Sequence, residues 1–167
     1  MMRNLMATTA VAAMVALGVL APAGTAWAKS ATVQGTSDLE NGEPTDIDKM
    51  VVNNRKGSVL LKIHGTGGKG AVRWVTADVK DRDGTKYRAM GGWYGADWIV
   101  SLSRGAKVVD CDAMVFKYAP RGGFWKIDVP RSCLDRLANR IRTKAEIVST
   151  VHASPGYTPW SPWVARG

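Results

Sequence analysis

Acidic residues are scarce beside basic ones in this chain: 14 Asp and Glu stand against 23 Lys and Arg, a formal charge of +9. Histidine is reduced to His64 and His152, so imidazole bases are confined to two positions. Cysteine is reduced to Cys111 and Cys133, which excludes a cysteine-rich scaffold and a four-cysteine zinc site. No Gly-x-Ser-x-Gly elbow and no His-Glu-x-x-His helix is present. The glycine-rich stretch Gly65–Gly70 is no Walker loop, because Gly68-Lys69-Gly70 leads into a strand pattern and not a helix. The sequence names no catalytic residue, and the chain is read as a non-enzyme. Beyond the first 20 residues no apolar run reaches the roughly 20 residues that cross a bilayer.

What is present begins with an export signal. Met1-Met2-Arg3-Asn4 is a short basic start, Leu5 to Leu20 is uncharged and apolar, and Ala26-Trp27-Ala28 is a small–x–small cleavage site. Residues 1–28 are therefore read as a signal peptide. The mature chain from Lys29 carries 22 basic and 14 acidic residues. Its expected place is outside the cell or at the cell wall, where the cysteine pair reads as the disulfide Cys111–Cys133. Residues 29–45 are polar and acidic and read as a flexible leader.

From Ile47 the apolar residues alternate and the segments are punctuated by turn residues. Val59, Leu61 and Ile63 share one face of a strand, and Ile141, Thr143, Ala145 and Ile147 alternate with Arg140, Arg142, Lys144 and Glu146. Strands are expected at 47–52, 58–64, 71–79, 85–90, 98–102, 107–118, 124–129 and 140–147. About eight strands with almost no helix predict an all-β fold, an antiparallel sandwich over 46–152, with a closed barrel as the alternative. Residues 153–167, rich in proline and tryptophan, form a C-terminal tail. Pairing Tyr118 with Phe124 across the 119–123 turn brings Cys111 opposite about position 131, within reach of Cys133.

Asp46-Ile47-Asp48-Lys49-Met50-Val51-Val52-Asn53 resembles the opening of a group of small exported actinobacterial proteins of unassigned function. Ile127-Asp128-Val129-Pro130-Arg131-Ser132-Cys133-Leu134 resembles their second-cysteine segment, and Trp160-Ser161-Pro162-Trp163 their tail. The likeness spans most of residues 38–163. It implies export and a sandwich similar in strand order to carbohydrate- or haem-binding domains of the DOMON type. It brings no catalytic residue with it.

Three sets of residues could bind something. Six tryptophans remain after Trp27; Trp74, Trp98 and Trp125 fall in strands, and Trp93, Trp160 and Trp163 in loops beside Tyr94 and Tyr157. Trp93, Tyr94, Tyr157, Trp160 and Trp163 form either a flat platform for pyranose rings or a plug closing the sandwich end. Asp38, Glu40, Asp46 and Asp48, with Glu43 between them, are the material of a calcium loop or of a solvated acidic leader. No other cofactor is indicated. Lys117, Arg121, Lys126 and Arg131 cluster around one hairpin, and Arg136, Arg140, Arg142 and Lys144 follow. Outside a cell such a field attracts teichoic acids and acidic polysaccharides, not nucleic acid. The function expected is a secreted, non-catalytic module binding the cell envelope or extracellular polysaccharide. The alternative is a structural or interaction protein, such as a matrix component or an inhibitor of another exported protein. The sequence is silent on oligomeric state.

Overall fold

The structure, a computed structural model, describes residues 29–35, 47–65, 72–149 and 155–167. Residues 1–28, read from the sequence as a signal peptide, and most of the segment 29–45, read as an acidic leader, lie outside the described residues. The described residues form twelve strands: β1 Ser30–Gln34, β2 Ile47–Asn54, β3 Ser58–Gly65, β4 Val72–Asp81, β5 Lys86–Tyr94, β6 Asp97–Arg104, β7 Lys107–Val109, β8 Val115–Ala119, β9 Phe124–Pro130, β10 Arg140–Ser149, β11 Gly156–Tyr157 and β12 Val164–Ala165. One sheet has the order β1-β2-β3-β9-β8 and the other β11-β10-β4-β5-β6-β7, with β12 also on β10. All pairings are antiparallel. The two sheets face each other as a sandwich. Among the described residues no helix is long and apolar enough to cross a membrane.

Period-two patterning explains the core. Met50 and Val52, Val59, Leu61 and Ile63, and Trp125, Ile127 and Val129 are buried from the first sheet. Val75, Ala77 and Val79, Tyr87 and Ala89, and Ile141, Thr143, Ala145 and Ile147 are buried from the second. The single buried hydroxyl in that β10 row, Thr143, lies 3.7 Å from the Met50 sulfur.

Twelve strands replace the eight expected, for three reasons. The segment 107–118 is not one strand: β7 belongs to the second sheet and β8 to the first, and the chain crosses between them at 110–114. Ser30–Gln34, expected to be flexible, pairs along its whole length with Lys49–Asn53 and forms the outer edge of the first sheet. The tail contributes β11 and β12. The 119–123 turn also differs by one position, pairing Ala119 and not Tyr118 with Phe124. Gly123, at φ +57°, takes the left-handed conformation that closes it.

Gly91-Gly92-Trp93-Tyr94, expected as a loop, is the end of β5. Its glycines are there because rings lie on the backbone. A Cβ on Gly91 would stand 2.6 Å from the Phe116 ring, and one on Gly92 would stand 1.8 Å from the Trp74 indole. The disulfide Cys111–Cys133 is formed, with Cα atoms 5.6 Å apart. It joins the β7–β8 crossing to the turn 131–133 that follows β9, and so ties together two connections between the sheets.

Candidate functional site

The tail positions the most distinctive surface of the molecule. It runs antiparallel to β10, with Tyr157 opposite Glu146 and Val164 opposite Ile141. Between those pairs, Pro159 and Pro162 provide no N–H, and the chain bulges outward. Buried side chains replace the lost ladder. Thr158 Oγ1 accepts from the Ala145 N–H at 2.9 Å, and Ser161 Oγ accepts from the Thr143 N–H at 2.9 Å. The Thr158 and Ser161 N–H groups donate in return to the carbonyls of Ala145 and Thr143. The bulge turns Trp160 and Trp163 over the outer face of β10.

There the indoles meet cations. Arg142 lies 5.0 Å from the Trp160 ring centre and 5.2 Å from that of Trp163. Lys80 and Lys144 lie 5.0 and 5.6 Å from Trp160, and Arg82 lies 5.4 Å from Trp163. Each such contact contributes about 0.5–1 kcal/mol at an exposed site and restrains a side chain that would otherwise be mobile. Among the described residues neither Arg142 nor Lys80 has a carboxylate partner. Two cations are thus held in place by rings and not by an anion.

One carboxylate organises the neighbouring cations. Asp78, on the outer face of β4 and only 2% exposed, accepts a fork from Arg88, Nε to Oδ1 at 2.7 Å and Nη2 to Oδ2 at 3.1 Å. Lys86 approaches to 3.0 Å and Lys144 to 3.7 Å. Burial pushes the Asp78 carboxyl up, but the hydrogen bonds and charges of Arg88 and Lys86 outweigh it and hold the group below the usual carboxylate range. A group depressed in the folded state stabilises the fold above its unfolded value, near pH 4, and that contribution is lost as pH falls through the lower folded value. The melting temperature should therefore drop as pH falls below about 4. Asp78→Asn should flatten the drop, and an unchanged acid profile in that variant would remove Asp78 from the account.

The five ring residues read from the sequence as one platform do not come together. Trp93, half-buried near the end of β5, meets Trp98 edge to face at 5.4 Å, with Trp98 opposite it on β6. Tyr94 projects from the β5–β6 hairpin tip and is 72% exposed. Tyr157, Trp160 and Trp163 alone share the β10 edge. The expected basic cluster divides as well. Lys117 and Lys126 pair across β8 and β9 on the other sheet. Arg131 is drawn inward, donating to Asn54 and lying within 3.4 Å of the Leu137 and Ala138 carbonyls. Sequence reasoning did not place Lys80, Arg82, Lys86 and Arg88 near β10, because nothing local says that β4 lies beside it and β5 beyond β4.

Of the calcium candidates, Asp38, Glu40 and Asp46 lie outside the described residues, and Asp48 is an exposed residue of β2. Among the described residues no three His, Cys, Asp or Glu side chains gather to hold a metal ion. Asp81 is a turn former, accepting from the N–H groups of Asp83, Thr85 and Ala138. His64 packs on Phe124 at 5.1 Å, and burial, then Lys49 and Lys62, lower its pKa. His152 lies outside the described residues. No protein-family model, curated protein or solved structure matches this chain.

Proposed function

We propose that this protein is a secreted, non-catalytic module that binds anionic polysaccharide of the cell envelope on the outer face of β10 and β4. The observation that carries the reading is Arg142, held between Trp160 and Trp163 with no carboxylate partner among the described residues. An acidic glycan matches that surface twice over. Its phosphate or carboxylate groups meet Arg142, Lys80 and Arg82, and the C–H faces of its rings lie against indole edges. The disulfide supports an oxidising location, where teichoic acids and acidic polysaccharides are the abundant polyanions.

Poly(glycerol phosphate) and alginate should quench or shift tryptophan emission and bind more weakly as salt rises, while neutral dextran should do neither. Trp160→Ala should weaken binding by about 1–2 kcal/mol, the scale of an aromatic contact. Arg142→Ala should reduce the salt dependence, and both variants should melt close to the parent. Equal retention of the parent and Arg142→Ala on the two polyanions would defeat this reading.

A further inference from the structure

Among the described residues, one long side of the sandwich is open. β7 covers only Leu102–Arg104 of β6, so among the described residues Asp97–Ser101 has no strand on its outer edge. The facing edge of the other sheet, β8, is likewise unpaired on its outer side. Edges of this kind are usually blunted, because their free N–H and C=O groups template another chain. Apolar residues collect here instead. Ile99, Val100, Val108 and Val115 are four of the six large hydrophobic residues exposed among those described, and Val108 is 72% exposed.

Two cavities follow this side in sequence register. The larger, about 500 Å³, is lined by Val100, Leu102, Val109 and Met114, with Asp110 and Asp112 at the crossing. The smaller, about 280 Å³, is lined by Trp98, Phe116, Tyr118, Pro120 and Trp125. Trp98 lies two residues from Val100 along β6, and Phe116 lies two residues beyond Met114. Along β6, then, neighbouring residues on one face line neighbouring cavities, as alternate side chains of an added extended chain would meet them. Asp97, Asp110 and Asp112 make no ion pair among the described residues, although the chain carries a large basic excess.

We propose that this side is a docking groove for an extended segment of another protein, added as a strand along the free edge of β6. Backbone hydrogen bonds to Asp97–Ser101 supply affinity, and two apolar side chains at positions i and i+2 enter the two cavities. A Lys or Arg beyond them meets Asp110 and Asp112. Charge argues for a different chain as occupant. A second copy meeting this edge through its own would bring the same three carboxylates to the interface, so like charge would face like. The groove is on a different face from the Trp160–Arg142 surface and stands or falls independently of it.

The test uses the mature, oxidised protein and three capped synthetic peptides. One alternates valine and threonine and ends in two lysines; one ends in two glutamates; one carries proline at the central threonines. At ten times its Kd the lysine-ended peptide should slow hydrogen exchange of alternate amides within Asp97–Ser101 by about tenfold. It should also shift tryptophan emission through Trp98. The glutamate-ended and proline peptides should bind about tenfold more weakly or worse. Val100→Arg should abolish binding, with its melt read alongside. The paired surface change Asp110→Asn with Asp112→Asn should erase the preference for lysine over glutamate. No protection of 97–101 by any peptide would overturn the proposal, as would equal binding of the proline peptide. Self-association of the protein that protects the same amides would assign the edge to a second copy instead.

Discussion

Trp125→Ala is expected to destabilise the domain by about 3–5 kcal/mol, the cost of truncating a buried tryptophan in a core that closes only partly around the gap. Trp125 is 2% exposed at the start of β9, and it is the largest fully buried side chain among the described residues. Its ring stacks on Trp98 at 5.0 Å with planes 10° apart, and it packs against Tyr118 at 5.2 Å and Phe116 at 6.3 Å. One substitution therefore loosens contacts from both sheets at once. Domains of this size hold about 5–15 kcal/mol in total, so the variant should sit near its unfolding threshold. Denaturant titration measures the effect, with Tyr94→Ala at the exposed hairpin tip as the control, expected within about 0.5 kcal/mol of the parent. A loss below about 1.5 kcal/mol for Trp125→Ala would mean that the aromatic layer is not what joins the sheets.

The same layer shows where sequence reading succeeds and where it stops. Alternation placed Val59, Leu61 and Ile63, and the β10 row from Ile141 to Ile147, on the inner face, because a half-buried strand writes its two environments at period two. Asp83-Gly84, between the strands expected at 71–79 and 85–90, is a turn signal for a related reason: Gly84, at φ +88°, takes the conformation only glycine adopts freely. The disulfide followed from two cysteines and a hairpin. Gly91 and Gly92 misled, since two glycines beside two aromatics look like a loop. Here they are strand positions emptied of side chain so that Phe116 and Trp74 can lie on the backbone. Val108 and Val109 continued an apparent strand into Val115, and nothing local marks the passage from one sheet to the other. Trp160 and Trp163 read as loop residues, but their partners Lys80 and Arg82 come from the end of β4 and the turn after it, about 80 residues earlier. Neighbours across a sheet are set by topology, and a single sequence does not print topology.

Removal of the disulfide by the double change Cys111→Ser and Cys133→Ser should lower stability by about 3 kcal/mol, from a closed loop with a sequence separation of 22. For a domain of this size that is a fall of roughly 10 °C in melting temperature. Position makes the effect local as well as global. Cys111 lies in the crossing that carries the chain from β7 to β8, and Cys133 in the turn between β9 and β10. The two differ in what else holds them: the β7–β8 crossing has the Met114 N–H to the Cys111 carbonyl at 3.0 Å, whereas the 131–139 connection is also tied by the Arg131 N–H to the Gly57 carbonyl, the Leu137 N–H to the Leu134 carbonyl and the Ala138 N–H to Asp81. Hydrogen exchange in the variant should accelerate most at Met114, and least in the β2–β3 pair, which is laddered from Ile47 to Asn54. The crossing also forms the acidic wall of the 500 Å³ cavity. The lysine-ended peptide should therefore lose affinity in the variant even where the protein remains folded, while poly(glycerol phosphate) binding on the far face of β10 should not change. A uniform acceleration of exchange across both sheets would show that the bond acts only through the unfolded chain, and not by holding the two crossings together.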